Sequence, residues 1–263
     1  MIAAWLRRGR ALGAALWPIG LYLVAYDLAG RIPNHWRPAI HGDILARWDQ
    51  WLGAGTLPHQ YLSRSTSLPL DIAAAIPYTL HFVAPILFVW WLWRRGTVAV
   101  RAFAWSFLLA NLGALLTQLC FPTAPPWFFE RHSPIPPTYG ILGDAAGLSR
   151  IDQWLGIDYF NHLYAMSRVV FGAFPSMHGA WPILMALHAQ HYSNWLAGWI
   201  LIYTGWMWWA AMYLHHHFLV DLLCGVLYVG LAYLAVRRWA WPYARFIITH
   251  VNTDGPRGEA IRH

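Results

Sequence analysis

Long apolar runs alternate with two long polar segments along this chain. The apolar runs cover about 11–29, 72–93, 102–121, 176–189, 195–214 and 218–236. A helix rises 1.5 Å per residue, so about 20 apolar residues cross a hydrocarbon layer ~30 Å thick. The pattern therefore predicts six membrane spans. The first run could be a cleaved leader, but it is long, is interrupted by Pro18 and lacks a small-x-small cleavage site, so a span is the better reading. The second holds His81 and Pro85, and His81 reads as a hydrogen-bonded packing residue. The fourth is short and contains Pro182, which predicts a tilted or kinked helix. His191–Asn194 and His215–His217 leave room only for tight turns.

The polar segments run from residue 30 to about 71 and from 122 to 174. In the first, Ile44, Leu45, Trp48, Trp51 and Leu52 recur at helical spacing, with Asp43, Arg47, Asp49 and Gln50 on the other face. That is the pattern of a helix lying in a membrane interface. A short repeat joins the segments: Arg47-Trp-Asp-Gln-Trp-Leu-Gly53 matches Arg150-Ile-Asp-Gln-Trp-Leu-Gly156. The expected fold class is an all-α integral membrane protein. It would be a six-transmembrane-helix bundle with short amphipathic helices in its extracytoplasmic loops. Residues 1–238 would form one membrane domain, and 239–263 a polar cytoplasmic tail.

Composition agrees with this pattern. The chain of 263 residues is 58% hydrophobic and 11% charged, against roughly 25% charged in a soluble domain. Its 19 Trp and 13 Tyr are residues that favour membrane interfaces. All 18 basic residues are Arg, and the formal net charge is +7. Guanidinium groups suit anionic lipid surfaces and phosphate ligands. Nucleic acid is not an expected partner, because no basic soluble module is visible. Arg is concentrated near the span ends before span one, between spans two and three and after span six. That bias places both termini in the cytoplasm, in a bacterial inner (plasma) membrane on the Arg- and Trp-rich composition. Cys120 and Cys224 both lie in apolar runs and imply neither a disulfide framework nor a metal cluster.

Two stretches carry candidate chemistry. His217 and Asp221 stand four residues apart, on one face of a helix start. The carboxylate can hold one imidazole nitrogen and leave the other free to act as nucleophile or base. The same pair could simply anchor the helix. His178 follows Pro175-Ser176, a helix-start signal in which Ser176 can cap free amides. A helix N-terminus attracts anions, and a histidine there can donate a proton to a departing oxygen. Connectivity puts both histidines at the same membrane level. His215-His216-His217 could suggest a metal ion, but adjacent residues project in different directions, so no metal site and no cofactor is expected.

Phe174-Pro-Ser-Met-His178-Gly and His217-x-x-x-Asp221 resemble two signatures of the type 2 phosphatidic acid phosphatase superfamily. The longer runs Val170–His178 and Tyr213–Asp221, with Phe121-Pro-Thr-Ala-Pro-Pro-Trp127 upstream, resemble its inositol phosphorylceramide synthase branch. The resemblance covers about residues 40–236. It implies that His217 takes up the phosphoryl group, that Asp221 orients it, and that His178 protonates the leaving alcohol and then activates the acceptor. It also implies no metal and a site at the extracytoplasmic interface. The chain departs from the pattern in three cationic positions. The superfamily's first signature, a Lys followed by an Arg-Pro, is absent, since Arg37-Pro38 has no Lys before it, and Ala210 and Ala211 stand where Ser-Arg is common. Phosphate must then be held otherwise, with Arg168, Arg131, Ser176 and His216 as candidates. The implied substrate is a phospholipid or other lipid phosphate, with a lipid alcohol or water as acceptor. Alternatives are a lipid phosphate monoester phosphatase acting on phosphatidic acid or polyprenyl phosphate, and a non-enzymatic transporter or lipid-binding scaffold.

Overall fold

The computed structural model describes residues 2–132 and 135–239, with side chains from residue 9 onward. The tail expected at 239–263 lies outside the described residues beyond Trp239. All regular elements are helical: α1 Ile2–Gly30, α2 Ile44–Leu52, α3 Pro58–Leu62, α4 Leu68–Trp93, α5 Thr97–Cys120, α6 Pro126–His132, α7 Ser149–Leu155, α8 Tyr159–Ala165, α9 Met177–Ala189, α10 Asn194–Tyr213 and α11 Leu219–Trp239. Among the described residues, four stretches are long and apolar enough to cross a membrane: Gly9–Gly30, Leu68–Trp93, Thr97–Cys120 and Leu219–Trp239. α9 has 13 residues, about 20 Å of helix at 1.5 Å per residue. α10 has 20 residues and is interleaved with Trp and Tyr.

Helices α1, α4 and α5 start earlier than the apolar runs suggest. α4 begins at Leu68, where Pro69 sits in the first turn after extended Ser67; a proline there loses no helical hydrogen bond. α5 begins at Thr97 directly after Gly96, whose φ of +129° marks the turn, so Arg101 lies inside the helix. Proline also has a visible consequence within α4. Pro77 has no N–H to give to the Ala73 carbonyl. Trp206 of α10 donates its indole N–H there instead, at 2.9 Å, so the freed backbone acceptor is satisfied.

α1 packs along α5, α5 along α11, α11 along α9, α9 along α10, and α10 along α4. Phe103, Leu184 and Val229 are buried in one cluster, and Tyr213, Met207 and Leu222 in another. The outward faces stay apolar, with Ile86, Leu227 and Leu231 exposed, as lipid-facing helices require.

The face of α2 expected to be polar behaves otherwise. Asp49 is fully buried, whereas Trp51 is 81% exposed. Its carboxylate accepts the Val220 N–H at 2.9 Å, capping the N-terminus of α11. The second copy of the repeat does the same to another helix: Asp152 accepts Phe160 N–H at 3.1 Å and Asn161 N–H at 2.8 Å at the start of α8. In both copies the Asp clamps a neighbouring helix and the Trp two residues later, Trp51 or Trp154, faces outward.

Candidate active site

Ser176, the residue before α9, has extended backbone, and its hydroxyl accepts the Gly179 N–H at 3.4 Å. This cap starts α9 so that His178 falls in the first turn. The preceding segment is tied down by Gln118, which donates to the Pro175 carbonyl at 3.2 Å. On the other side, α10 ends at Tyr213 and the chain reverses through His215, whose φ is +65°. The backbone N–H groups of His216 and His217 both donate to the Ala211 carbonyl, at 3.0 and 3.2 Å. The turn therefore hangs from the last turn of α10 and delivers His217 to the start of α11. Asp221 accepts the Phe218 N–H at 2.9 Å, one of the amides left open at that helix start.

α9 and α11 meet at unusually close range. The Ser176 N–H donates to the Asp221 carbonyl at 3.0 Å. A methyl on Gly225 would lie 2.3 Å from the Ser176 carbonyl oxygen, and one on Gly179 would lie 2.6 Å from Leu222. Only glycine permits this approach at either position.

The result is a histidine pair with a carboxylate behind it. His217 Nδ1 stands 3.3 Å from Asp221 Oδ2, and His217 Nε2 stands 3.2 Å from His178 Nδ1. A carboxylate only accepts, so the proton of His217 belongs on Nδ1. Its Nε2 lone pair then points at His178. Burial pushes His217 down to about 4, against a hydrogen bond with the Ala173 backbone, so the ring is neutral at pH 7. Burial also holds His216 well below the usual histidine range, with His217 and His215 adding to the effect.

His178 and His217 line a cavity of about 370 Å³. Its walls come from α1, α4, α8 and α9 and are mainly apolar and aromatic. Leu23 and Phe82 line it and are also 60% and 59% exposed, so its mouth lies between α1 and α4. Among the described residues, no arginine lines it.

The residues proposed from sequence are thus placed differently from one another. His178, His217 and Asp221 meet. Ser176 is buried and occupied in capping α9. His216 is beside the pair, its ring stacked between Tyr78 and Tyr164 at centroid distances of 5.0 and 4.7 Å. Arg168 lies 3.9 Å from Asp27 with a 57% exposed side chain and does not line the cavity. Arg131 is bonded to Asp144 at 2.5 Å, to Ser149 at 3.0 Å and to the Ala146 carbonyl at 3.2 Å.

The fold adds groups from outside the two sequence stretches. Tyr78 stacks on His178 at 5.5 Å, and His81 lies between His178 and Trp181 at 4.3 and 4.4 Å. Tyr78 and His81 are one helical step apart on α4, a spacing that puts two polar rings on one face. That was the available signal for them. Nearby, Asp71 is held by Arg150 and by the Tyr213 hydroxyl at 2.7 Å, fixing α7 against α4 and the end of α10.

Helices of spanning length, joined around a His-His-Asp cluster under an apolar cavity, define a membrane-type helical protein with a histidine pair backed by a buried carboxylate. The chain belongs to the PAP2 superfamily, whose sequence profile matches residues 43–235. It is 35% identical to an inositol phosphorylceramide synthase of Candida albicans, over 80% of this chain and 45% of that protein. It is 36% identical to the catalytic subunit of that synthase from Schizosaccharomyces pombe, over 74% of this chain and 46% of that one. A phosphoinositol dihydroceramide synthase of Bacteroides thetaiotaomicron is 29% identical, over 82% of this chain and 74% of its own length. The chain spans about half the length of the fungal relatives it matches. No solved structure matches it.

Proposed function

We propose that this protein is a membrane enzyme that moves the phospho-headgroup of a phospholipid onto a lipid alcohol through a phosphohistidine on His217. The observation that carries the reading is the alignment of Asp221, His217 and His178 beneath an apolar cavity. Phosphate enters between the two rings and replaces their hydrogen bond. His217 Nε2 forms a bond to phosphorus as the bond from phosphorus to the leaving alcohol oxygen breaks. His178, held in its doubly protonated form by the bound phosphate, gives one proton to that oxygen and is left neutral. In the second half, His178 takes the proton of the acceptor hydroxyl, the acceptor oxygen bonds phosphorus, and the bond to His217 breaks. Asp221 holds the His217 Nδ1 proton throughout and stabilises the charge that develops on the ring.

The cavity favours a phosphodiester. A diester carries one negative charge, and a monoester nearly two at neutral pH. With no arginine in the lining, burying the second charge is costly. The names of the relatives point the same way, toward a phosphoinositol donor and a ceramide-type acceptor. The mouth between α1 and α4 lies where acyl chains would be, so both lipids enter from the bilayer. Water as acceptor, and hence phosphatase activity, is the reading kept second, because the same first half-reaction serves it.

The architecture that goes with this reading has six spans, α1, α4, α5, α9, α10 and α11, with α2, α3 and α6–α8 on the side of the site. The arginine bias puts that side outside the cytoplasm and both termini within it. In a bacterial plasma membrane the reaction would face the extracytoplasmic leaflet. The test is a product assay in detergent with phosphatidylinositol, with and without a ceramide, and separately with phosphatidic acid. A new lipid appearing only with the acceptor supports transfer. Free phosphate from phosphatidic acid as the main product would replace it with the phosphatase reading.

A further inference from the structure

Tyr78 is a buried polar group in the site that the mechanism above leaves without work. It sits in the third turn of α4, is 6% exposed, and its ring lines the cavity with His178 and His217. The ring is fixed from two sides, parallel to His178 at 18° and to His216 at 25°. Its hydroxyl is sealed from solvent and has no hydrogen-bond partner among the described residues. It lies within electrostatic reach of Asp221 and Tyr164. A buried hydroxyl left unpaired costs about 1–3 kcal/mol, and phenylalanine would provide the same stacking without that cost. A tyrosine held in this way therefore has a use for its hydroxyl.

We propose that the Tyr78 hydroxyl donates a hydrogen bond to a non-bridging phosphoryl oxygen as His217 attacks. The proposal rests on the phosphoryl-transfer reading of the site and names one of the groups that stand in for its missing cations. A phenol keeps its proton at neutral pH (ordinary pKa about 10), so it is a fixed donor with no net charge. Such a donor fits a cavity without arginine and a substrate with a single negative charge. The bonds made and broken are those given above. Tyr78 loses no proton, and its hydrogen bond shortens as charge gathers on the oxygens in the transition state. The two stacked imidazoles hold the donor in place before substrate arrives.

The test is Tyr78→Phe in the full chain, with two readouts. The first is turnover of phosphatidylinositol with a short-chain ceramide; loss of one such donor lowers kcat by about 10²-fold. The second is thermal unfolding in detergent with and without orthovanadate, a mimic of the transferring phosphoryl group. Tyr78→Phe is expected to unfold at the same temperature as wild type or higher without vanadate, and to gain less from vanadate. Turnover within about twofold of wild type, or a lower unfolding temperature without vanadate, would overturn the proposal. If wild type turns over none of the lipids, the functional reading fails and the vanadate arm decides. A larger vanadate shift in wild type than in Tyr78→Phe supports the assignment, and an equal or absent shift ends it.

Discussion

Asp49 Oδ1 and Val220 N are 2.9 Å apart although 171 residues separate them in the chain. The contact pins α11 at the residue before Asp221, so a side chain in the first polar segment fixes where the carboxylate behind His217 begins. Replacing Asp49 with Ala removes the cap and should cost about 1–2 kcal/mol of stability. Turnover should fall with it. Unfolding and kcat measured on the same detergent preparation check both.

Asp49 also carries a pH signature. Burial raises its carboxyl to about 6, against the Val220 and Leu219 amides that lower it. A carboxyl whose folded pKa exceeds its unfolded value of 3.8 binds its proton more tightly when folded. Its contribution to stability is full below that value and is lost as pH rises through about 6. Asp49→Asn keeps an acceptor oxygen and cannot ionise. Its unfolding temperature relative to wild type should therefore rise between pH 4 and pH 7. A constant difference over that range would show that Asp49 does not ionise within it.

On the proposed mechanism His217 would set the acid limit of activity. Its ring is pushed down to about 4 by burial, so the neutral nucleophile persists well below the usual histidine range. The acid limb of kcat/KM should bend near pH 4 rather than 6.5, falling about tenfold per unit beneath it. A pH–rate profile in detergent is the measurement, and a bend near 6.5 would place the nucleophile in a wetter setting than this one.

His217→Ala and His178→Ala should each abolish turnover and leave the protein folded. Asp221→Asn should reduce kcat by about 10⁴-fold, because the wrong imidazole tautomer is favoured. Rapid acid-free quenching with a phosphorus-labelled lipid should trap label on wild type and on no His217→Ala protein. Label retained on His217→Ala would assign the nucleophile elsewhere.

Gly225→Ala tests the close contact of α9 and α11. The added methyl would lie 2.3 Å from the Ser176 carbonyl oxygen, so the helices must part. Overpacking of this kind costs about 1–3 kcal/mol, whereas a shift of about 1 Å between reacting groups costs about 10²-fold in rate. Activity should suffer more than folding, as seen by comparing kcat with the unfolding midpoint.

The meeting of His178, His217 and Asp221 was legible because each sits at a helix start marked in the sequence: Pro175-Ser176 before His178, and the four-residue step from His217 to Asp221. The long apolar runs likewise announced α1, α4, α5 and α11. What could not be read was anything decided by packing between distant segments. Asp49 looked like part of a solvated face, since periodicity reports sidedness and not which side a neighbour covers. The spacing of Tyr78 and His81 puts them on one face of α4, but only the packing of α4 beside α9 brings them to His178. Arg168 and Arg131 are near the site in sequence, but Asp27 and Asp144 engage them, and no local pattern foretold those pairings.

The hydrogen bond from the Ser176 N–H to the Asp221 carbonyl joins α9 and α11 through main chain alone. The histidine nitrogens are thus referenced to backbone, while the cavity beside them is walled by side chains of α1, α4 and α8. Those two parts can vary independently. On the proposed function, residues such as Tyr22, Leu23 and Phe82 could be exchanged to admit a different alcohol without moving the histidine pair, so one frame would serve a range of headgroup exchanges.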